Sequence, residues 1–378
     1  MTEIQCMAAV NFGIEAVAKR ECETLGLKNI NVENGRVFFT TDIQGVFKAN
    51  LWLRTVERVH IVLGRFKAYS FEELFEGVYA LPWEDWIPKD GNFVVNGRSV
   101  KSKLYSISHC QSITEKAIVK RLQNTYPIDF FPKSGHRYGI EVSLLKDEAM
   151  ITLDTSGEGL HKRGYREKTV KAPISETLAA AMIQLSFWNR DRILADPFCG
   201  SGTIPIEAAM IGKNIAPGLG RSFDVENWNL IPIKDLKEIK KEAYEGMDID
   251  QKLNIYASDI SPRAIKIAKS NAEIMGLEDD ITFLVKDIES MDYFEDYGVL
   301  ITNPPYGERI GKEDKIRELY TDLGHLYKDL KTWSFYVITS YQQFIRDFGK
   351  KPDRIRRLYN GRIDVGYYQY YGPRPPRK

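Results

Sequence analysis

Apolar and polar residues alternate along the first 65 positions with two different periods. The runs EIQCMAAV, GRVFFT and RVHIVLG have the short, β-branched and aromatic make-up of strands. Between them, GIEAVAKRECETLG places Ile14, Val17 and Ala18 on one helical stripe, and DIQGVFKANLWL reads as a second helix. The mixture then recurs. A helix is predicted over 70–81, capped by Ser70 with Glu73 three residues on. A strand follows at NFVVNG, then a helix over about 112–122 and a hairpin of YGIEVSLL and AMITLDT around a turn at 146–148. This pattern predicts two small α+β units, 1–65 and 66–155.

Over 156–171 the chain is polar and glycine-bearing and reads as a linker. From 172 to 378 the pattern changes to strands separated by helical crossovers. A helix at SETLAAAMIQLSF is followed by a strand at RILADPF, a helix from Gly202, a strand at LNIYASDI, a helix over 262–275, a strand at ITFLVKD, and a strand running into NPPY. Apolar strands flanked by helices predict a Rossmann-like α/β domain with a mainly parallel sheet. The runs SFYVITS, RIRRLYNG and IDVGYYQYYG extend it to a C-terminal antiparallel hairpin. No internal repeat or coiled-coil heptad is present.

Composition narrows the class. With 43% hydrophobic and 28% charged residues, a formal charge of +1 and no long uncharged apolar segment, the 378-residue chain is expected to be soluble and not a membrane protein. The start lacks the basic region and apolar core of an export signal, so a cytoplasmic location is expected. Cys6, Cys22, Cys110 and Cys199 are scattered without a C-x-x-C pair, which argues against a disulfide framework or thiolate metal site. They read as buried thiols, and no metal is expected. The near-zero charge conceals local excesses: eight Lys or Arg against two acids over 98–137, and nine against two over 350–378. Separated basic patches suit a polyanion. Lys101, Lys103, Lys116, Lys120 and Arg121 are candidate phosphate contacts, with Lys162, Arg163 and Arg166 between the two halves. Nothing in the pattern specifies an oligomeric partner.

The strongest local signal is ADPFCGSGTIPIEAA, 195–209. Asp196 ends a strand, Gly200 and Gly202 allow a tight turn with close backbone approach, and the next helix offers free N–H groups at its start. A nucleoside-triphosphate loop is disfavoured, because Gly-Lys-Ser/Thr is missing. A dinucleotide site fits poorly. Pro205 replaces the third glycine of G-x-G-x-x-G, and the next strand-end acid, Asp259, lies 57 residues after Gly202. Asp259 and Asp287 both end predicted strands, where carboxylates can take a ribose diol and an adenine edge. Finally, LITNPPYGER sets Asn303, Pro304, Pro305 and Tyr306 at the mouth of a buried strand.

Taken together, DPFCGSGT, Asp259, Asp287 and NPPYGER resemble the consecutive motifs of class I methyltransferases that use S-adenosylmethionine to methylate an amino nitrogen. The resemblance implies that the loop of Phe198, Cys199, Gly200, Ser201, Gly202 and Thr203 wraps the methionine part of that cofactor, with Asp196 a further cofactor-binding residue. It also implies that Asp259 binds ribose and that Asp287 lies near adenine. Asn303 to Tyr306 match the catalytic segment. There, the Asn303 side-chain and Pro304 backbone carbonyls can accept the two amine protons, Pro305 stiffens the turn, and Tyr306 offers a stacking face. Adenine N6, guanine N2 and a glutamine amide all remain compatible with these four residues. The N-terminal half, with ISHCQSITEKAIVKRL and SGEGLHKRGYR, resembles the THUMP-bearing RlmL/YpsC-like ribosomal-RNA guanine methyltransferases. This implies an RNA-binding arm and a guanine-N2 product in large-subunit ribosomal RNA or an assembly intermediate. Adenine-N6 methylation and a non-catalytic ribosome-assembly protein are the competing expectations.

Overall fold

The computed structural model describes residues 3–166, 173–288, 295–305 and 313–376. The first half runs β1 (Ile4–Val10), α1 (Glu15–Thr24), β2 (Lys28–Glu33), β3 (Arg36–Thr41), α2 (Ile43–Trp52), β4 (Val56–Lys67), α3 (Phe71–Tyr79), β5 (Asn92–Val100), α4 (Ile107–Thr125), β6 (Arg137–Leu145) and β7 (Glu148–Asp154). Then follow α5 (Glu176–Gln184), β8 (Leu194–Asp196), α6 (Thr203–Gly212), α7 (Ile233–Glu245), β9 (Ile255–Asp259), α8 (Pro262–Ile274), β10 (Ile281–Val285) and β11 (Val299–Thr302). The last elements are α9 (Glu313–Asp329), β12 (Ser334–Thr339), α10 (Phe344–Phe348), β13 (Arg354–Asn360) and β14 (Ile363–Tyr370). Contacts divide the chain into two units. One comprises Met1–Val10, Lys19–Leu160 and Ser222–Lys241, the other Asn11–Ala18, His161–Arg221 and Glu242–Lys378.

The first unit is built on a seven-stranded sheet in the order β2-β3-β1-β4-β7-β6-β5. β4, twelve residues long, pairs with β1 on one side and β7 on the other, so residues 1–65 and 66–155 share one sheet. Lys146 and Asp147 both have positive φ (53° and 62°), the conformation that joins β6 to β7 by a two-residue hairpin turn. Local capping sets the helix starts. Asp42 accepts from the Gly45 N–H (2.8 Å) at α2, and Ser70 Oγ from the Glu73 N–H (3.1 Å) at α3. α4 begins at Ile107, five residues before the predicted start, with Ser106 at its N-cap. Its first turn is mostly solvent-facing and so carries no apolar signal. β2 has no predicted counterpart: KNINVE is an edge strand without a buried residue, and its alternation rests on two apolar positions, Ile30 and Val32, too few to mark a strand.

The segment Ser222–Lys241, predicted as part of the α/β domain, belongs to the first unit. Within it Trp228 stacks on Tyr138 (ring centroids 5.0 Å, interplanar angle 17°) and donates its indole N–H to the Arg137 carbonyl (2.9 Å).

The second unit carries the other seven-stranded sheet, ordered β10-β9-β8-β11-β12-β14-β13. β10 to β12 run parallel, while β14 and β13 are antiparallel to their neighbours. This is the expected Rossmann-like α/β arrangement, a mainly parallel sheet with a C-terminal antiparallel hairpin. β8 and β11 lie side by side although about a hundred residues separate them, and the strand order reverses there. At such a reversal the loops leaving adjacent strands diverge and open a crevice at the strands' carboxyl ends. All four cysteines are buried and free. Among the described residues no helix is long and apolar enough to cross a membrane.

The foot of β11 is wedged by Trp333, which is 1% exposed and donates to the Glu295 carbonyl (2.8 Å). A Cβ on Gly298 would overlap the Trp333 ring. Gly298→Ala should therefore destabilise the protein by about 1–3 kcal/mol through overpacking. Thermal unfolding checks this, and an unchanged midpoint would show that the ring yields freely.

Candidate active site

β8 ends at Asp196, and everything after it is bent back by two glycines. Gly200 (φ 55°) and Gly202 (φ 83°) occupy the left-handed region, where a side chain is strained. Gly202 also lies so close to α8 that a Cβ would sit 3.0 Å from that of Ala268. The loop is pinned at each step: the Cys199 N–H donates to the Ser258 carbonyl (2.9 Å), the Gly200 N–H to Asp259 Oδ2 (3.1 Å), and Asn271 Nδ2 to the Ser201 carbonyl (3.0 Å). Asp259 Oδ1 accepts from the Ser261 N–H (2.9 Å), so one carboxylate orders both the glycine loop and the start of α8. The long spacing from Gly202 to Asp259 has a structural explanation. The intervening chain passes through the first unit and returns as β9, which pairs directly with β8, Asp196 opposite Ala257.

Asp196 is 1% exposed. It accepts from the Thr302 hydroxyl at 2.6 Å and the Phe198 N–H at 3.2 Å. Burial pushes its carboxyl up to about 7, against the lowering effect of those two donors. Burial also pushes the Cys199 thiol well up, with Asp196 and Asp259 adding to the effect, so it is not a thiolate nucleophile.

The carboxyl ends of β8, β9, β10 and β11 open on a cavity of about 940 Å³. Of the sequence-predicted residues, Asp196, Phe198, Cys199, Gly200, Ser201 and Thr203 line it. So do Asp259, Asp287, Asn303 and Pro305. Gly202 and Pro304 are not on its wall: Gly202 sits behind the loop and Pro304 is buried. Tyr306 lies outside the described residues. Asn303 Oδ1 is buried and accepts no hydrogen bond from a described residue. Two contributions escaped sequence reading. Thr302 bridges β11 to Asp196, and α9 supplies Lys315, Glu318, Leu319 and Asp322 to the wall. Their spacing of three, four and seven residues is that of one helix face, a signal present in the sequence.

The basic candidates divide. Lys101, Lys103, Lys116 and Lys120 are exposed on the first unit. Arg121 is committed to a two-point pair with Glu84, 3.0 Å and 2.5 Å. In the second unit Lys162 is exposed, but Arg163 is not a phosphate contact: it is 2% exposed and paired with the fully buried Glu207 (3.4 Å). Arg166 is likewise turned inward, pairing with Glu176 (3.2 Å) and donating to the Ile174 carbonyl (2.7 Å) and the Thr203 hydroxyl (3.0 Å). A carboxylate in the adjoining helix captures each arginine, which the linear sequence does not reveal.

This geometry agrees with comparisons to known proteins. The RMKL-like methyltransferase domain matches residues 163–369, the THUMP domain 68–154 and the RlmL ferredoxin-like domain 5–60. The chain belongs to the RMKL-like methyltransferase family. This methyltransferase is 47% identical to "Putative RNA methyltransferase YpsC" of Bacillus subtilis (strain 168), covering 100% of this chain and 99% of that protein. A solved "predicted N6-adenine-specific DNA methylase" from Listeria monocytogenes is 48% identical with a TM-score of 0.94, over 99% of this chain and 97% of that one. SMU.472, "a putative methyltransferase complexed with SAH", is 44% identical with a TM-score of 0.94 over the whole of both chains. The methyl donor of this methyltransferase is S-adenosylmethionine, and the residues fit it. Acids ring a roomy cavity suited to a cationic, diol-bearing ligand, and a glycine loop lets backbone approach closely.

The Asp196 environment predicts a pH effect. Between the ordinary carboxylate range near pH 4 and about pH 7, the folded protein holds a proton that the unfolded chain has released. The resulting stabilisation is complete below that ordinary range and is lost as pH rises through about 7. In cofactor-free protein, Asp196→Asn should remove part of the fall in urea midpoint between pH 5 and pH 8; an identical slope in the variant would contradict the assignment.

Proposed function

We propose that this methyltransferase transfers the methyl of S-adenosylmethionine to the exocyclic N2 amine of a guanine in large-subunit ribosomal RNA, in the cytoplasm. The observation that carries an amine substrate is Asn303 Oδ1, a buried acceptor without a partner among the described residues, in a residue that lines the same cavity as the glycine loop. An RNA substrate is supported by the THUMP match and by the description of YpsC as an RNA methyltransferase. Guanine N2 rests on resemblance to the RlmL/YpsC-like enzymes. The proposed division is 1–65 and 66–155 for the RNA-binding arm, 156–171 for the linker and 172–378 for catalysis.

In this reading Asp196 and the 198–203 loop hold the methionine part of the cofactor, Asp259 the ribose and Asp287 the adenine edge. Bound there, S-adenosylmethionine supplies an electrophilic sulfonium methyl. An amine conjugated to a purine is a weak nucleophile, and what the protein provides is alignment. Asn303 Oδ1 accepts one amine proton and the Pro304 carbonyl the other, which turns the nitrogen lone pair toward the methyl. The new N–CH₃ bond forms as the C–S bond breaks, and the surplus amine proton passes to water. No ionised base is required. Tyr306, outside the described residues, is proposed as the face against which the extruded base stacks.

Adenine N6 is the second reading, favoured by the description of the Listeria protein, because Asn303 would align that amine equally well. Two experiments test the site. Gly202→Arg should abolish measurable cofactor binding by calorimetry, since even a Cβ presses on Ala268; unchanged affinity would remove the loop from the cofactor site. Asn303→Ala should lower single-turnover methyl transfer about a hundredfold through misalignment, with cofactor affinity near wild type. A folded variant with undiminished turnover would remove Asn303 from catalysis. N6-methyladenosine as product would keep the mechanism and replace the substrate.

A further inference from the structure

An RNA substrate leaves open which form of RNA the first unit holds, and the face shared by α3 and α4 bears on it. The two helices lie side by side in the same direction. Phe71 meets His109 at their starts (ring centroids 5.8 Å), and Asn124 Nδ2 donates to Tyr79 Oη at their ends (2.8 Å). Leu74 and Val78 are fully buried and form the core-facing stripe of α3. Phe71, Phe75 and Tyr79, also four residues apart, lie on a different face and are only partly covered, so they are not core. They make a ring stripe about 12 Å long. Phe75 and Tyr79 are nearly parallel, 10° apart at 6.0 Å.

Across from this stripe α4 presents Lys116 and Lys120, four residues apart, both exposed and without an ion pair to a described residue. A cleft of about 470 Å³ opens between Phe75 and Tyr79 on one side and Lys116 and Lys120 on the other. Glu76 is an acid on its wall, and Arg121 is neutralised by Glu84, so the two lysines are the cations left to the cleft. Just before the helices begin, Lys103 Nζ stands 4.9 Å over the Tyr69 ring, which continues the pairing of ring and cation.

We propose that this cleft binds an unpaired stretch of the RNA substrate, with bases laid on the α3 rings and phosphates at the α4 lysines. Stacking needs a base whose face is free, which a duplex does not offer, whereas lysines alone would serve either form. The proposal rests on the RNA reading above. The test is fluorescence anisotropy on the full chain at several salt concentrations. The probes are a short unstructured RNA and an RNA duplex of equal length, and calorimetric S-adenosylmethionine binding confirms that each variant is folded. The wild type should prefer the single strand. Phe75→Leu with Tyr79→Leu keeps apolar volume and should weaken single-strand binding about tenfold or more at an unchanged salt slope. Lys116→Gln with Lys120→Gln should flatten the slope of log affinity against log salt by about 1.4. A leucine pair that binds the single strand like wild type, or a wild type that prefers the duplex, would overturn the cleft and leave the RNA reading standing. A wild type that binds neither probe would overturn both.

Discussion

One hydrogen bond spans the point where the catalytic sheet reverses its strand order: the Thr302 hydroxyl on β11 donates to the buried Asp196 carboxyl on β8 (2.6 Å). These two strands launch the two loops to which the proposed chemistry is assigned, the glycine loop from β8 and the Asn-Pro-Pro segment from β11. An acid inside the sheet is costly unless satisfied, and Thr302 together with the Phe198 N–H satisfies it. The same contact thus holds the two loops at a fixed separation. A second carboxylate, Asp259, does the equivalent on the far side by ordering the Gly200 N–H and the start of α8. The cavity is framed by two acids that act first on their own backbone.

Pre-organisation of this kind suits a reaction with little covalent work for the protein to do. Methyl transfer to a weakly nucleophilic amine is governed by distance and angle, and in the proposed reading the rigid frame supplies that alignment through Asn303. Beneath the frame lies a buried ionic layer of Arg163 with Glu207 and Arg166 with Glu176. Arg166 reaches the Thr203 hydroxyl on the cavity wall, so residues between the predicted domains brace the loop.

Much of this was legible in the linear sequence, for physical reasons that also explain the gaps. The central strands β8, β11 and β12 are buried along their whole length and stand out as apolar runs, and Gly200 and Gly202 announce a turn that only glycine tolerates. Asp259 was legible as a strand-end acid, but its partner, the Gly200 N–H, is a backbone group that side-chain patterns do not show. Arg163 and Arg166 read as surface charges because a basic segment near a linker is usually solvated; only folding brings Glu207 and Glu176 beneath them. β2 was missed because an edge strand buries little and carries only two apolar residues, Ile30 and Val32. α9 was visible in principle, from the helical spacing of Lys315, Leu319 and Asp322, and its contribution to the cavity follows from that face.

Asn303 as the group that directs methyl transfer to a guanine amine in large-subunit ribosomal RNA is the centre of this account. It is tested most directly by nucleoside mass spectrometry of that RNA from cells lacking the gene and re-supplied with wild-type or Asn303→Ala protein. N2-methylguanosine should disappear at one position and return only with the wild type. An unchanged N2-methylguanosine content in the deletion, or full restoration by the alanine variant, would contradict it.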